Sequence, residues 1–174
     1  TSLGMDANDS FDVVCKLIKA FTEAFMNDDR SLVAFLASNP DTAMYVNEVA
    51  DVFISYAWKG SFGETMDALF GKFNDQDDVF IWMDVACVDQ HRAAIEDIQF
   101  DTWAKTFREA LKTIGKAILV LTPAQEPIAM TRSWCCFEWV IITQANLQVD
   151  FCVSPQDEVA LIQKMQSGMG FSNF

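Results

Sequence analysis

Apolar residues recur at helical spacing over the head of the chain and then give way to short β-branched runs. Phe11, Val14, Cys15, Ile18, Phe21 and Phe25 share one face behind the cap candidates Asn8, Asp9 and Ser10, which predicts a helix. A second helix begins after Ser31 and stops at Asn39-Pro40, and a third, shorter one carries Met44, Tyr45 and Val49. Residues 1–50 therefore read as a helical N-terminal extension, packed on the main domain and without obvious chemistry of its own.

From Asp51 the period changes. Asp51–Tyr56 (DVFISY) is β-branched and aromatic, the pattern of a strand buried on both faces. Phe62, Met66, Leu69, Phe70 and Phe73 predict the helix that follows, and Val79–Met83 a second strand ending at Asp84. After an irregular stretch, a helix through Phe100, Trp103, Phe107, Ala110, Leu111 and Ile114 stops at the C-cap candidate Gly115. Ala117–Leu121 (AILVL) is the third strand, ended by Thr122-Pro123. A helix then runs from Thr131–Ser133 to about Ala145, followed by a strand at Gln148–Val153 and a helix at Gln156–Gln166. Alternating strands and helices imply parallel strands joined by right-handed crossovers. The class is α/β: a flavodoxin-like open parallel sheet of four to five strands with helices on both faces. Residues 51–174 form this domain, which is short for five strands, because no convincing fifth strand follows Val153. Ligands of such sheets bind beyond the carboxyl ends of the strands. That directs attention to Ala57–Gly63, Asp84–Arg92 and Thr122–Glu138.

Composition narrows the function. The chain has 174 residues, 51% of them apolar, so it can bury a core and is no disordered tail. Twelve Lys and Arg against 25 Asp and Glu give a net charge of −13, which phosphate backbones and anionic membranes repel. Nucleic-acid polymers and membranes are thus not expected partners. The longest apolar run, Leu32–Ala37, is far below the ~18 residues a membrane span needs. No signal peptide opens the chain, and its start at Thr1 reads as that of a piece cut from a longer protein. Five cysteines (Cys15, Cys87, Cys135, Cys136, Cys152) follow no framework spacing and read as buried thiols of a cytoplasmic protein.

Several chemistries drop out. No glycine-rich nucleotide motif follows any strand, and the third strand ends in Leu121-Thr122-Pro123 where a phospho-accepting receiver would need Asp. His91 is the only imidazole, which leaves no metal site and no orienting third residue for a Cys–His pair; it reads as a loop hydrogen-bonder. What remains is the helix Arg132–Ile142, apolar almost all round and so expected to be buried. Glu138, its lone carboxylate, lies on one stripe with Trp134 and Ile141. The residues alone leave two readings: a desolvated functional group, or a rim carboxylate turned to solvent or paired with Arg132.

DVFISY, the F-x-x-x-D strand end at Phe80–Asp84, AILVLTP and S-W-C-x-x-E at Ser133–Glu138 together resemble the TIR (Toll/interleukin-1 receptor/resistance protein) domain. The W-C-x-x-E portion matches the plant-type motif S-x-W-C-x-x-E intact, with Ser133 adjacent to Trp134. The Asp89-Gln90-His91 turn and Thr131–Cys135 look like the TIR-like domains of microbial eukaryotes. The resemblance covers the chain from Asp51 onward. It implies an NAD+-cleaving enzyme with NAD+ as substrate rather than cofactor, acting in defence or stress signalling, and Glu138 in the catalytic glutamate's position. It further implies a pocket wall of Tyr56, Ala57, Trp58 and Lys59, with Asp84, Ser133, Trp134 and Cys135 as further substrate-binding positions. The Asp84–Arg92 loop corresponds to the family's self-association loop, implying a homo-oligomer. Trp134 is expected mainly as core that positions its helix, and Cys135 fits either role. Ala57-Trp58-Lys59-Gly60 replaces the arginine-rich loop of plant TIR domains. The same fold also serves non-catalytic modules that signal by homotypic assembly, the alternative reading here.

Overall fold

The computed structural model describes residues 6–25, 30–74, 78–93 and 100–166, apart from the side chains of Ala93, 100–103 and Thr106. In chain order the elements are α1 (Phe11–Thr22), α2 (Leu32–Ser38), a 3₁₀ turn (Ala43–Tyr45), β1 (Val52–Ser55), α3 (Phe62–Phe73), β2 (Ile81–Trp82), α4 (Asp84–Cys87) and α5 (Gln90–Ala93). There follow α6 (Phe100–Ile114), β3 (Lys116–Val120), a second 3₁₀ turn (Ile128–Thr131), α7 (Ser133–Gln144), β4 (Gln148–Cys152) and α8 (Pro155–Gln166). The four strands form one parallel sheet in the order β2-β1-β3-β4, the flavodoxin-like arrangement.

Strand alternation decides what each face meets. Val52, Ile54, Ile118, Val120 and Cys152 pack toward α1 and α3, whereas Phe53, Ala117 and Leu119 pack with Phe107, Leu111, Ile141 and Ile142 of α6 and α7. Both faces of β1 and β3 are thereby covered, and their buried runs follow from that. Local chemistry sets the helix ends. Ser31 and Ser61 accept the Ala34 and Glu64 amides at 3.1 and 3.2 Å. Gly115, at φ +76°, closes α6 in the left-handed conformation.

Some elements differ from expectation. The second strand is only Ile81–Trp82, because it is an edge strand paired solely with β1. The third N-terminal helix contracts to the 3₁₀ turn Ala43–Tyr45, with Val49 exposed outside it, since Met44 and Tyr45 find no core to pack on. The stretch after Asp84 holds the short helices α4 and α5. Residues 167–174, where the sequence offers no fifth strand, lie outside the described residues.

The N-terminal extension is built into the domain. Phe11 is fully buried, its ring 4.3 Å from that of Tyr56 and 5.4 Å from that of Phe62. Burying such a side chain contributes roughly 1.5–3 kcal/mol. The Phe11 amide donates to the Trp58 carbonyl at 3.0 Å, and the Gly63 amide donates to the Ala7 carbonyl at 2.7 Å. A Cβ at Gly63 would lie 2.7 Å from that carbonyl oxygen, so glycine permits the approach. The loop after β1 is consequently held from outside by α1.

Candidate active site

The chain leaves β1 toward β2 and returns past β1 to β3, so a crevice opens where these two strands end. Ser55 is the last residue of β1. It shares the face of Phe53, toward α7, and there it meets Glu138. The Ser55 hydroxyl donates to Glu138 Oε2 at 2.6 Å and accepts from Trp139 Nε1 at 3.0 Å. With the indole supplying its acceptor site, the hydroxyl proton is directed at the carboxylate. Glu138 is 4% exposed. Burial pushes its carboxyl up to about 8, helped by the neighbouring Asp84 charge and opposed by hydrogen bonds from Ser55 and the Trp134 side chain.

Asp84, following β2, is the second node. Tyr56 Oη donates to its Oδ1 at 2.5 Å, Trp58 Nε1 to its Oδ2 at 2.9 Å, and the Val85 amide to Oδ1 at 2.7 Å. Burial raises the Asp84 carboxyl above the ordinary range while these donors pull it back. Burial and the Asp84 charge push the Tyr56 phenol well above its usual value, so it remains a donor. Gln90 Nε2 donates to the Asp84 carbonyl at 2.8 Å, and the Cys15 thiol of α1 reaches Gln90 Oε1 at 3.6 Å.

These groups wall two adjoining chambers of one cleft, named inner for the one that Glu138 lines and outer for the other. The inner chamber, of about 180 Å³, is lined by Trp58, Trp82, Asp84, Phe107, Trp134 and Glu138, among others. The outer chamber, of about 270 Å³, is lined by Asp12, Tyr56, Trp58, Lys59, Asp84, Arg132, Trp134 and Cys135. Trp58, Asp84 and Trp134 belong to both. The inner chamber thus offers aromatic faces and the Glu138 carboxyl, and the outer chamber offers the cations Lys59 and Arg132. That combination suits a planar ring joined to an anionic group.

Of the positions singled out from the sequence, Tyr56, Trp58, Lys59, Asp84, Trp134, Cys135 and Glu138 come together in this cleft. Ala57 sits behind it, buried against Ala129 and Cys135. Ser133 is exposed at the start of α7 and lines neither chamber. Glu138 is neither a rim carboxylate nor paired with Arg132, since Ser55 holds it beneath the helix. The expectation that α7 is buried all round is corrected. Val140 is 52% exposed, because α7 covers the sheet with one face only. Trp134 is likewise a wall of the cleft, 37% exposed, rather than core. His91 is a hydrogen-bonder as expected, but it sits in α5 rather than in a loop, buried with Nε2 2.9 Å from Thr22 Oγ1.

Sequence reasoning misses Ser55, Asp12, Trp82 and Phe107. Ser55 carries a usable signal: it is the one polar side chain in an apolar strand, in phase with Phe53. Asp12 carries none, since it belongs to a helix outside the α/β alternation. The expectation of buried thiols holds for Cys135 and Cys152 but not for exposed Cys136. Cys135 donates to the Tyr56 carbonyl at 3.4 Å, and burial pushes its thiol up to about 12. It is therefore no nucleophile near neutrality. Iodoacetamide at pH 8 is expected to label Cys136 and leave Cys135 untouched, read by fragment mass spectrometry. Labelling of both at one rate would contradict this burial.

Comparison with protein-family models, curated proteins and solved structures gives no match for the chain. Among the described residues no three His, Cys, Asp or Glu side chains are arranged to hold a metal ion. No described helix is long and apolar enough to cross a membrane.

Proposed function

We propose that the chain is an NAD+ glycohydrolase of the TIR type, cleaving the bond between nicotinamide and ribose. The observation that carries this reading is a desolvated carboxyl, Glu138, fixed by Ser55 in an aromatic chamber that adjoins two cations. In the proposed complex the nicotinamide ring stacks among Trp58, Trp82 and Trp134, and the pyrophosphate meets Lys59 and Arg132. The ring nitrogen leaves with the electron pair of its bond to C1′. Nicotinamide departs neutral, so no general acid is needed. Positive charge develops on the ribose as in glycoside hydrolysis, and an ionised Glu138 beside it stabilises that charge. Water then adds to C1′ and loses a proton, giving ADP-ribose; capture by an adenine nitrogen instead would give a cyclic product. The cationic nicotinamide ring itself favours the charged form of Glu138 on binding.

Self-association through Asp84–Arg92 belongs to the same proposal. Val85, Gln90 and His91 of that segment are buried, with α1 packed on α4 and α5, so assembly there engages Arg92 and the half-buried positions around it. The alternative, a scaffold signalling by homotypic assembly, is favoured by Val159, Ile162 and Met165, which leave an exposed apolar stripe along α8. Incubation of concentrated protein, clustered by a multivalent tag, with NAD+ separates the two. Release of nicotinamide, read by chromatography, is the expected result. None from clustered protein would overturn the enzymatic reading in favour of the scaffold.

A further inference from the structure

The outer chamber includes one group that NAD+ cleavage leaves unused. Asp12 comes from α1, outside the α/β domain, yet its position is set by its neighbour: the Phe11 ring is fully buried and the Phe11 amide is bonded to the Trp58 carbonyl at 3.0 Å. Asp12 itself is exposed and lines the chamber that holds Lys59 and Arg132. Among the described residues no ion pair ties it to either cation. Its charge therefore faces whatever the chamber holds.

We infer that the cleft selects a dinucleotide without a 2′-phosphate on its adenosine ribose, NAD+ over NADP+, and that Asp12 is the discriminating residue. The inference rests on the NAD+-binding reading of this cleft. Two pyrophosphate charges meet two cations, Lys59 and Arg132. A 2′-phosphate adds roughly 1.5–2 further negative charges, as any phosphate monoester does, and among the described residues the chamber has no third cation for them. Asp12 would meet that phosphate as a like charge, whereas a free ribose hydroxyl can donate to it. The N-terminal extension thus sets substrate choice for a site that the α/β domain builds.

The test is a binding titration on the full chain carrying Glu138→Gln, so that nothing is consumed, followed by tryptophan fluorescence. NAD+ is expected to bind about tenfold or more tightly than NADP+, with the same order for ADP-ribose over its 2′-phosphate. Asp12→Asn should shrink that ratio and Asp12→Lys abolish or invert it. Asp67→Lys, an exposed acid on α3 outside both chambers, should leave it unchanged. Equal binding of NAD+ and NADP+, a ratio indifferent to Asp12, or an equal response to Asp67→Lys would overturn the assignment while leaving NAD+ cleavage standing. Binding of none of the four ligands would overturn both.

Discussion

Glu138→Gln is expected to cut NAD+ consumption by roughly 10²–10⁴ and yet raise the melting temperature at pH 8.5. Both effects have one cause. The carboxyl is buried, and burial pushes it up to about 8 from an ordinary 4.5. Between those values the folded chain keeps a proton that the unfolded chain has released, so stability falls as pH rises through this window and levels off above about 8. Forcing the carboxylate to exist inside the fold costs on the order of 5 kcal/mol. Glutamine fills the same space and still accepts from Ser55, but buries no charge. Its amide has a desolvation cost of its own, which leaves a net gain of about 3 kcal/mol. For a chain of this size that is roughly 6–12 °C. The gain should cross zero at about pH 6 and become a loss of about 2 kcal/mol by pH 4.5, where only the amide's desolvation cost is left; that reversal separates relief of a buried charge from a general packing improvement. An inactive variant no more stable than the parent at pH 8.5 would contradict the burial of Glu138, and an active one its catalytic role. On the proposed reading, Glu138 sets function against stability, as in many active sites.

The features of this site visible in the sequence and those hidden from it differ for a physical reason. Strand and helix periods identify β1, β3 and the flanking helices because core burial enforces them; β4, an edge strand with Val149 and Phe151 exposed, is legible from its apolar alternation instead, and the residues after β1 and β2 follow from the topology. Glu138 stands out as a charge in an apolar helix. What periodicity cannot supply is the partner across the sheet. Ser55 and Glu138 are 83 positions apart, and only the packing of α7 on β1 makes them a pair. Asp12 is hidden more deeply. It enters the cleft because Phe11 inserts beside Tyr56 and Phe62, a contact between two segments whose local patterns are complete without each other. The edges of the sheet resist reading for a related reason: β2 is clipped to two residues and α7 is half exposed, because burial there depends on what lies alongside.

The pH profile is the second large expectation. If Glu138 acts as a carboxylate, kcat/KM should rise about tenfold per pH unit through the acid range and bend to a plateau near 8, where burial has moved the group. From pH 6 to the plateau that is on the order of a hundredfold. The profile of kcat should bend at lower pH, because in the bound complex the cationic nicotinamide ring favours ionisation. A flat kcat/KM between pH 6 and 9 would exclude a buried, titrating carboxylate as the active species. Ser55→Ala supplies the control. The Ser55 hydroxyl at 2.6 Å is one of the groups that hold the Glu138 carboxyl down, so its loss should move the kcat/KM midpoint above 8. Activity at pH 7 then drops several-fold more than activity at pH 9.5. A purely structural role for Ser55 would lower the whole curve without moving its bend, so the midpoint decides whether this hydroxyl tunes the glutamate.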